Sequence, residues 1–325
     1  MGEFDFIQDY LAPLAAPEGL GLLDDAAMLS PPAGKDLIIS QDTMVEGVHF
    51  PNGEWGAGTA EKLLRVNLSD LAAKAATPWG YFLSLSLPRK MDQRWLAGFA
   101  KGLEAGQQAF DWHVMGGDTT RTDGPLVVSV TAIGTVPTGQ MVRRSGAKPG
   151  EDIYVTGTIG DAYLGLQLAL GHKVEPISGQ GMMIWEEAYQ RPQPRIALRK
   201  MLRKYANASV DISDGLIADS GHISRASKVG LNIDFETIPF SNPTRLWMDA
   251  QPASLDAFKT LVTAGDDFEI LFTSSPKDAE AVKNAAQLAN VGVTKIGRVT
   301  AGEGVTCRAP DGEPLSFERT GYTHF

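Results

Sequence analysis

The chain has 325 residues, 43% of them hydrophobic and 21% charged, enough at ~150 residues per domain for two domains with cores of their own. With 29 Lys and Arg against 39 Asp and Glu, the formal charge is −10, the wrong sign for a protein built to hold a phosphate backbone, which excludes nucleic acid as a main partner. A single cysteine, Cys307, permits neither an intramolecular disulfide nor a multi-cysteine metal cluster and suits a reducing compartment.

Glu3 and Asp5 stand where a secretory or transit segment would carry basic residues, so the start reads as mature, cytoplasmic protein. In the first half, the runs Leu37–Ser40, Tyr81–Leu87 and Leu126–Val136 have strand patterning, and Thr59–Ala76 and Trp95–Phe110 have helical periodicity. The uncharged stretch from Gly124 to Val142 is broken by Thr131, Gly134, Pro137 and Gly139 and alternates like a strand, so no membrane span is expected. Val142–Gly150, basic and rich in Gly and Pro, marks a boundary between domains 1–142 and 143–325. Beyond it come the strand Asp152–Thr156, the turn Thr156–Ala162 leading into a helix, the strand Ser209–Ile212, and the helix Leu216–Val229 closed by Gly230. A helix over Pro276–Ala289 and a strand over Val293–Val299 complete an α/β (α+β) pattern in both halves.

The P-loop, the dinucleotide GxGxxG, the kinase HRD and the HExxH patterns are all absent. Aspartate recurs instead beside Gly or Ser, in what read as turns: Asp24-Asp25, Asp42, Asp70, Gly116-Gly117-Asp118, Asp211 to Gly215, and Gly265-Asp266-Asp267. Carboxylates are hard oxygen ligands suited to Mg²⁺, which commonly bridges to a substrate's phosphates, so an acidic site can hold ATP through metal. Taken singly, each aspartate fits a turn or a helix cap equally well, as Ser213 or Asp214 would before the following helix. Asp70 falls on the apolar side of its helix and requires a partner, either a metal or Lys74 one turn on. Arg143, Arg144 and Lys148 suit a solvated linker or a guanidinium fork on phosphate. Five scattered histidines show no metal-ligand spacing, and only His49 lies near the suspected chemistry.

A spaced set of segments carries a resemblance: LDDAAML (23–29), SQDTMVEGVHF (40–50), VNLSDLAAKAATP (66–78), GGDTTR (116–121), RSGAKPGEDIYVTGTIGDA (144–162), DISDGLIADSGHI (211–223), GDDFEILF (265–272) and GYTHF (321–325). Through them the chain resembles, nearly end to end, the thiamine-monophosphate kinase family of the aminoimidazole ribonucleotide synthetase-like superfamily. The resemblance implies a two-domain α/β fold whose N-terminal domains pair in a homodimer, and ATP-dependent phosphorylation of thiamine phosphate to thiamine diphosphate by direct in-line transfer. It implies several Mg²⁺ ions on Asp25, Ser40, the backbone of Gln41, Asp42, Asp70, Asp118, Asp211 and Asp214. ATP contacts fall on Gly117, Asp118, Arg144 and Ser213, acceptor contacts on His49, Asp266 and Tyr322, and the catalytic roles on Arg144, Asp42 and Asp214. The chain departs from the family pattern at Leu23, usually Gly, and at Asp266, usually Glu. An amidine-forming synthetase and a non-catalytic nucleotide sensor are the alternatives weighed. The DTMVEGVHF and GYTHF segments speak against the first, and the retention of all the metal carboxylates against the second.

Overall fold

A computed structural model of the chain describes residues 3–53, 56–89, 91–176, 178–309 and 312–324. Phe325, the last residue of the GYTHF segment, lies outside them. The fold is mixed α/β and divides into two compact units, one of Met1–Leu71 with Ala76–Gln140, the other of Ala72–Ala75 with Met141–Phe325.

The first unit opens on a short helix, α1 (Glu3–Phe6), and continues with β1 (Lys35–Val45), α2 (Gly56–Ala73), β2 (Thr77–Pro88), α3 (Gln93–Phe110), β3 (His113–Thr122) and β4 (Val127–Pro137). Its sheet runs β1-β4-β2-β3, with β4 antiparallel to both neighbours and β3 parallel to β2. Strict alternation along β1 turns Ile38 and Met44 inward and leaves Leu37 and Ile39 exposed. Leu63, Leu64 and Leu68 of α2 and Phe99 and Leu103 of α3 are fully buried, as is Tyr81, whose ring lies 4.6 Å from that of Trp112. Asp92 caps α3 by accepting the Trp95 N–H at 2.8 Å.

The second unit has a six-stranded sheet ordered β10-β7-β9-β5-β8-β6. Its strands are β5 (Asp152–Thr156), β6 (Ala206–Asp211), β7 (Gly230–Asp234), β8 (Ile270–Ser274), β9 (Val293–Thr300) and β10 (Gly304–Arg308). The helices are α4 (Asp161–Ala169), α5 (Gly179–Gln190), α6 (Arg199–Tyr205), α7 (Leu216–Ser227), α8 (Asn242–Asp249), α9 (Ser254–Thr263) and α10 (Ala279–Leu288). All pairs are antiparallel except β10 with β7. β5 and β8 are buried along their whole length, polar ends included. Among the described residues no helix is long and apolar enough to cross a membrane.

Several local expectations change. Asp42 and Asp118 lie within β1 and β3, not in turns. Helix α7 ends on Lys228 in the left-handed conformation, φ 56°, and Gly230 begins β7 instead of closing the helix. Helix α2 stops at Ala73, short of the expected Ala76, and Ala75 takes φ 59°. Leu23 has φ −106°, a conformation open to any residue, so this turn does not need the glycine usual in the family.

Candidate active site

In the first unit, four of the residues that the resemblance assigns to metal or ATP line one cleft of about 440 Å³: Asp25, Gln41, Gly117 and Asp118. Asp25 is exposed, its N–H donating to Asp24 Oδ1 at 2.8 Å. Asp118 pairs with Ser84 across the parallel β2–β3 ladder. Its neighbour Gly117 is held so close to β2 that a Cβ there would sit 1.8 Å from the Leu83 carbonyl oxygen, so only glycine fits. Gln41 donates from Nε2 to Ser129 Oγ at 3.3 Å, which orients β1 at the cleft wall.

By the period of two, Ser40 and Asp42 lie on the opposite face of β1 from Gln41. Ser40 Oγ donates to Asp70 Oδ2. One turn earlier on α2, Asn67 accepts the Asp42 N–H at 3.1 Å and donates from Nδ2 to the Leu63 carbonyl at 2.9 Å. Strand and helix are thus stapled where Asp42 and Asp70 stand, and Asn67 is a supporting residue that sequence reasoning missed. Asp70 is bonded by Ser40, and the Lys74 ammonium donates to the Ser209 carbonyl at 2.7 Å. His49 is half-buried and its Nδ1 accepts the Val45 N–H at 3.0 Å, which places the ring proton of the neutral form on Nε2.

In the second unit, β6 ends at the buried Asp211, and the turn Ser213–Gly215 leads into α7. The loop 265–269 lies alongside: Asp266 N–H donates to the Ser213 carbonyl and Phe268 N–H to the Ile212 carbonyl, each at 2.8 Å. Gly265 permits this approach, with φ 79° and no room for a Cβ, which would sit 2.3 Å from the Ser213 oxygen. The C-terminal segment joins the same turn through the Tyr322 N–H, which donates to the Asp214 carbonyl at 2.9 Å. Tyr322 is 46% exposed and meets His324 edge to face. Arg144 is anchored by its carbonyl, which accepts from Ser227 Oγ at 3.1 Å.

Neither Ser213 nor Asp214 caps α7. Asp219, from the helix's first turns, reaches back, and its Oδ2 accepts the N–H groups of Asp214 at 3.0 Å and Gly215 at 3.1 Å. Burial, with the like charge of Asp214 added, pushes the Asp219 carboxyl up to about 7. Burial lowers the His222 imidazole, with Arg144 and Arg225 acting in the same direction. Asp214, Asp219 and His222 present ligand atoms within 4.8 Å of one another, a donor set whose two carboxylates fit a hard divalent cation. Sequence reasoning passed over Asp219 and His222, although their i,i+3 spacing inside the DISDGLIADSGHI segment was visible. Asp219→Ala would leave two backbone N–H groups, one buried and one half-buried, without their acceptor, at about 1–3 kcal/mol. The expected result is a lower Tm with at least a tenfold drop in kcat, Asp219→Asn falling between. Wild-type turnover in the alanine variant would show that the turn holds its shape without this carboxylate.

Two mixed α/β domains, each carrying clustered carboxylates, define a class. Residues 23–136 match the N-terminal domain of AIR synthase related proteins, and residues 148–309 the C-terminal domain. Thiamine-monophosphate kinase of Caulobacter vibrioides is 44% identical over 324 residues, 99% of this chain and 90% of that protein. The structure of thiamine-monophosphate kinase from Stenotrophomonas maltophilia superposes with a TM-score of 0.80 at 38% identity, covering 90% of this chain and 91% of that one. AaThiL complexed with AMPPCP and TMP superposes with a TM-score of 0.79 at 31% identity, over 100% and 97% of the two chains. The chain belongs to the thiamine-monophosphate kinase family, and it is a kinase.

Proposed function

We propose that the chain transfers the γ-phosphoryl group of ATP to thiamine phosphate, giving thiamine diphosphate and ADP, as a step of thiamine diphosphate biosynthesis. The observation that carries this reading is the whole-length match to thiamine-monophosphate kinases, together with clustered oxygen donors in each unit. Asp25, Ser40, the Gln41 backbone, Asp42, Asp70 and Asp118 in the first unit, and Asp211 and Asp214 in the second, are the residues that hold Mg²⁺. Several such ions, when bound, neutralise the phosphates and align them for in-line displacement.

Gly117, Asp118, Ser213 and Arg144 contact the nucleotide. The Arg144 guanidinium forks onto phosphate oxygens that metal leaves uncovered. An acceptor phosphate oxygen forms the new bond to the γ-phosphorus as the bond from phosphorus to the ADP oxygen breaks. The nucleophile is already anionic, so no general base is required. His49, Asp266 and Tyr322 bind the acceptor, whose cationic thiazolium suits an acidic and aromatic pocket. The reading includes a homodimer, supported by the exposed Leu37 and Ile39 on the edge strand β1, and a cytoplasmic location, which suits the lone buried Cys307, its thiol pushed up to about 12 by burial.

Incubation with ATP, Mg²⁺ and thiamine phosphate should yield thiamine diphosphate and ADP in equal amounts. ADP without thiamine diphosphate, or neither product, would overturn the assignment. Arg144→Lys keeps the charge and loses the fork, so it should impair ATP use by about 10-fold or more while acceptor KM holds. An unchanged ATP KM together with an unchanged kcat would remove Arg144 from the site.

A further inference from the structure

The loop that follows β1 carries His49, and it is tied down by Glu46, a side chain that no part of the kinase reading uses. The β1–β4 ladder ends on Val45 opposite Val127. One residue further, the Glu46 N–H donates to the Leu126 carbonyl at 2.9 Å, but the return bond goes to a side chain: the Leu126 N–H donates to Glu46 Oε2 at 3.2 Å. In a regular antiparallel pair a backbone carbonyl would take that N–H. The carboxylate stands in for it and releases the main chain to leave the sheet.

The other carboxylate oxygen acts seven residues on. Glu46 Oε1 accepts the Gly53 N–H at 3.2 Å, across the whole loop. Between these two anchors the chain folds tightly, the Gly47 N–H donating to the Phe50 carbonyl at 2.8 Å and the His49 N–H to the Val45 carbonyl at 2.9 Å, with Gly47 at φ 80° supplying the left-handed position. Phe50 is buried and pins the middle of the loop. The far end is different. Asn52 and Gly53 are exposed, and among the described residues a Cβ at Gly53 would meet no atom within 4 Å beyond its chain neighbours. There the bond to Glu46 takes the place of packing. Glutamate is the side chain that fits both tasks, because glutamine has one acceptor oxygen where two are needed and aspartate is a methylene shorter.

We propose that Glu46 is a positioning residue for the acceptor: its carboxylate holds loop 46–53 in the fold that aims His49, and it acts through His49. The proposal rests on the kinase reading, in which His49 contacts the acceptor. Misplacing a binding group by about 1 Å can cost on the order of 100-fold, so a loop freed at its far end should bind the acceptor poorly.

The test is a double-mutant cycle read in acceptor affinity. Glu46→Ala leaves both N–H groups without this acceptor, whereas Glu46→Gln keeps the size and serves one of them. Acceptor KM should rise about tenfold or more in Glu46→Ala and roughly threefold in Glu46→Gln, with the ATP KM within about twofold of wild type, a split that a general loss of stability does not produce. On a His49→Ala background Glu46→Ala should add less than about twofold, because no imidazole is left to aim. If Glu46→Ala melts too low to assay, Glu46→Gln carries the cycle alone. Calorimetry of thiamine phosphate, with Mg²⁺ and a non-hydrolysable ATP analogue present, makes the same comparison without turnover. An acceptor KM unchanged in both Glu46 variants, or a Glu46 effect of equal size with and without the imidazole, would overturn the proposal and leave the kinase standing. Thiamine phosphate binding that weakens in Glu46→Ala, in a protein that makes no thiamine diphosphate, would sink the kinase reading and keep the clamp. Absence of thiamine phosphate binding to the wild type would overturn both.

Discussion

Asparagine at Asp42 or at Asp70 is expected to leave the fold intact, lower activity by roughly 10–100-fold or more, and raise the Mg²⁺ concentration needed for half-maximal rate. The fold should survive because asparagine keeps the shape of each side chain and one of its oxygens. Asp42 is clamped through its backbone N–H by Asn67, and an asparagine oxygen at position 70 can still accept from Ser40 Oγ. Activity should fall because an acidic protein of net charge −10 binds a polyanionic nucleotide only with cations between the two. Losing one ligand charge weakens the ion without changing the shape of the site. Excess Mg²⁺ or Mn²⁺ should then restore part of the rate. A Mg²⁺ titration of activity for wild type and both variants, with circular dichroism to confirm folding, decides the matter. Superimposable titrations would make the two carboxylates structural.

What the sequence made legible was the chemistry carried by short segments, and what it hid was pairing between distant ones. Asp118 read as a turn residue because Gly-Gly-Asp is turn-like composition. It lies in β3 because β2, some 35 positions earlier, supplies a parallel partner against which Gly117 packs with no room for a side chain. Asp42 was misplaced for the same reason, since its strand is defined by β4, with Asp42 opposite Val130. The strands β5 and β6 were found because their patterning is local, whereas the grip of Arg195 on Glu269 spans 74 positions and has no local signature. Asp219 sat in plain view within a recognised segment, but its reach back to the Asp214 and Gly215 N–H groups follows from the turn's conformation and not from spacing alone. Asp267 is the extreme case, for its Oδ2, buried without a hydrogen-bond partner, can be seen as such only once every neighbour is in place.

Arg195→Met should be the most destabilising single change at the ion pairs of the second unit. The Arg195–Glu269 pair is two-pronged and shielded, with side chains 21% and 9% exposed. The exposed Arg89–Asp123 pair, at 70% and 78%, is worth little by comparison. Removing the guanidinium strands a carboxylate beside Asp161 and Asp267, and breaking a buried pair from one side typically costs about 3–5 kcal/mol. For a domain of this size that corresponds to a fall in Tm of roughly 6–20 °C. Lysine at 195 keeps the charge but gives up the fork, so a smaller loss is expected. Glu269→Gln combined with Arg195→Met should lose less than the sum of the two single changes, because the double variant no longer buries an uncompensated charge. Thermal melts of the four proteins measure the coupling directly. Strict additivity, or a Tm for Arg195→Met within a degree of wild type, would mean that solvent already compensates Glu269 and that the pair does not hold the loop carrying Asp266 and Asp267.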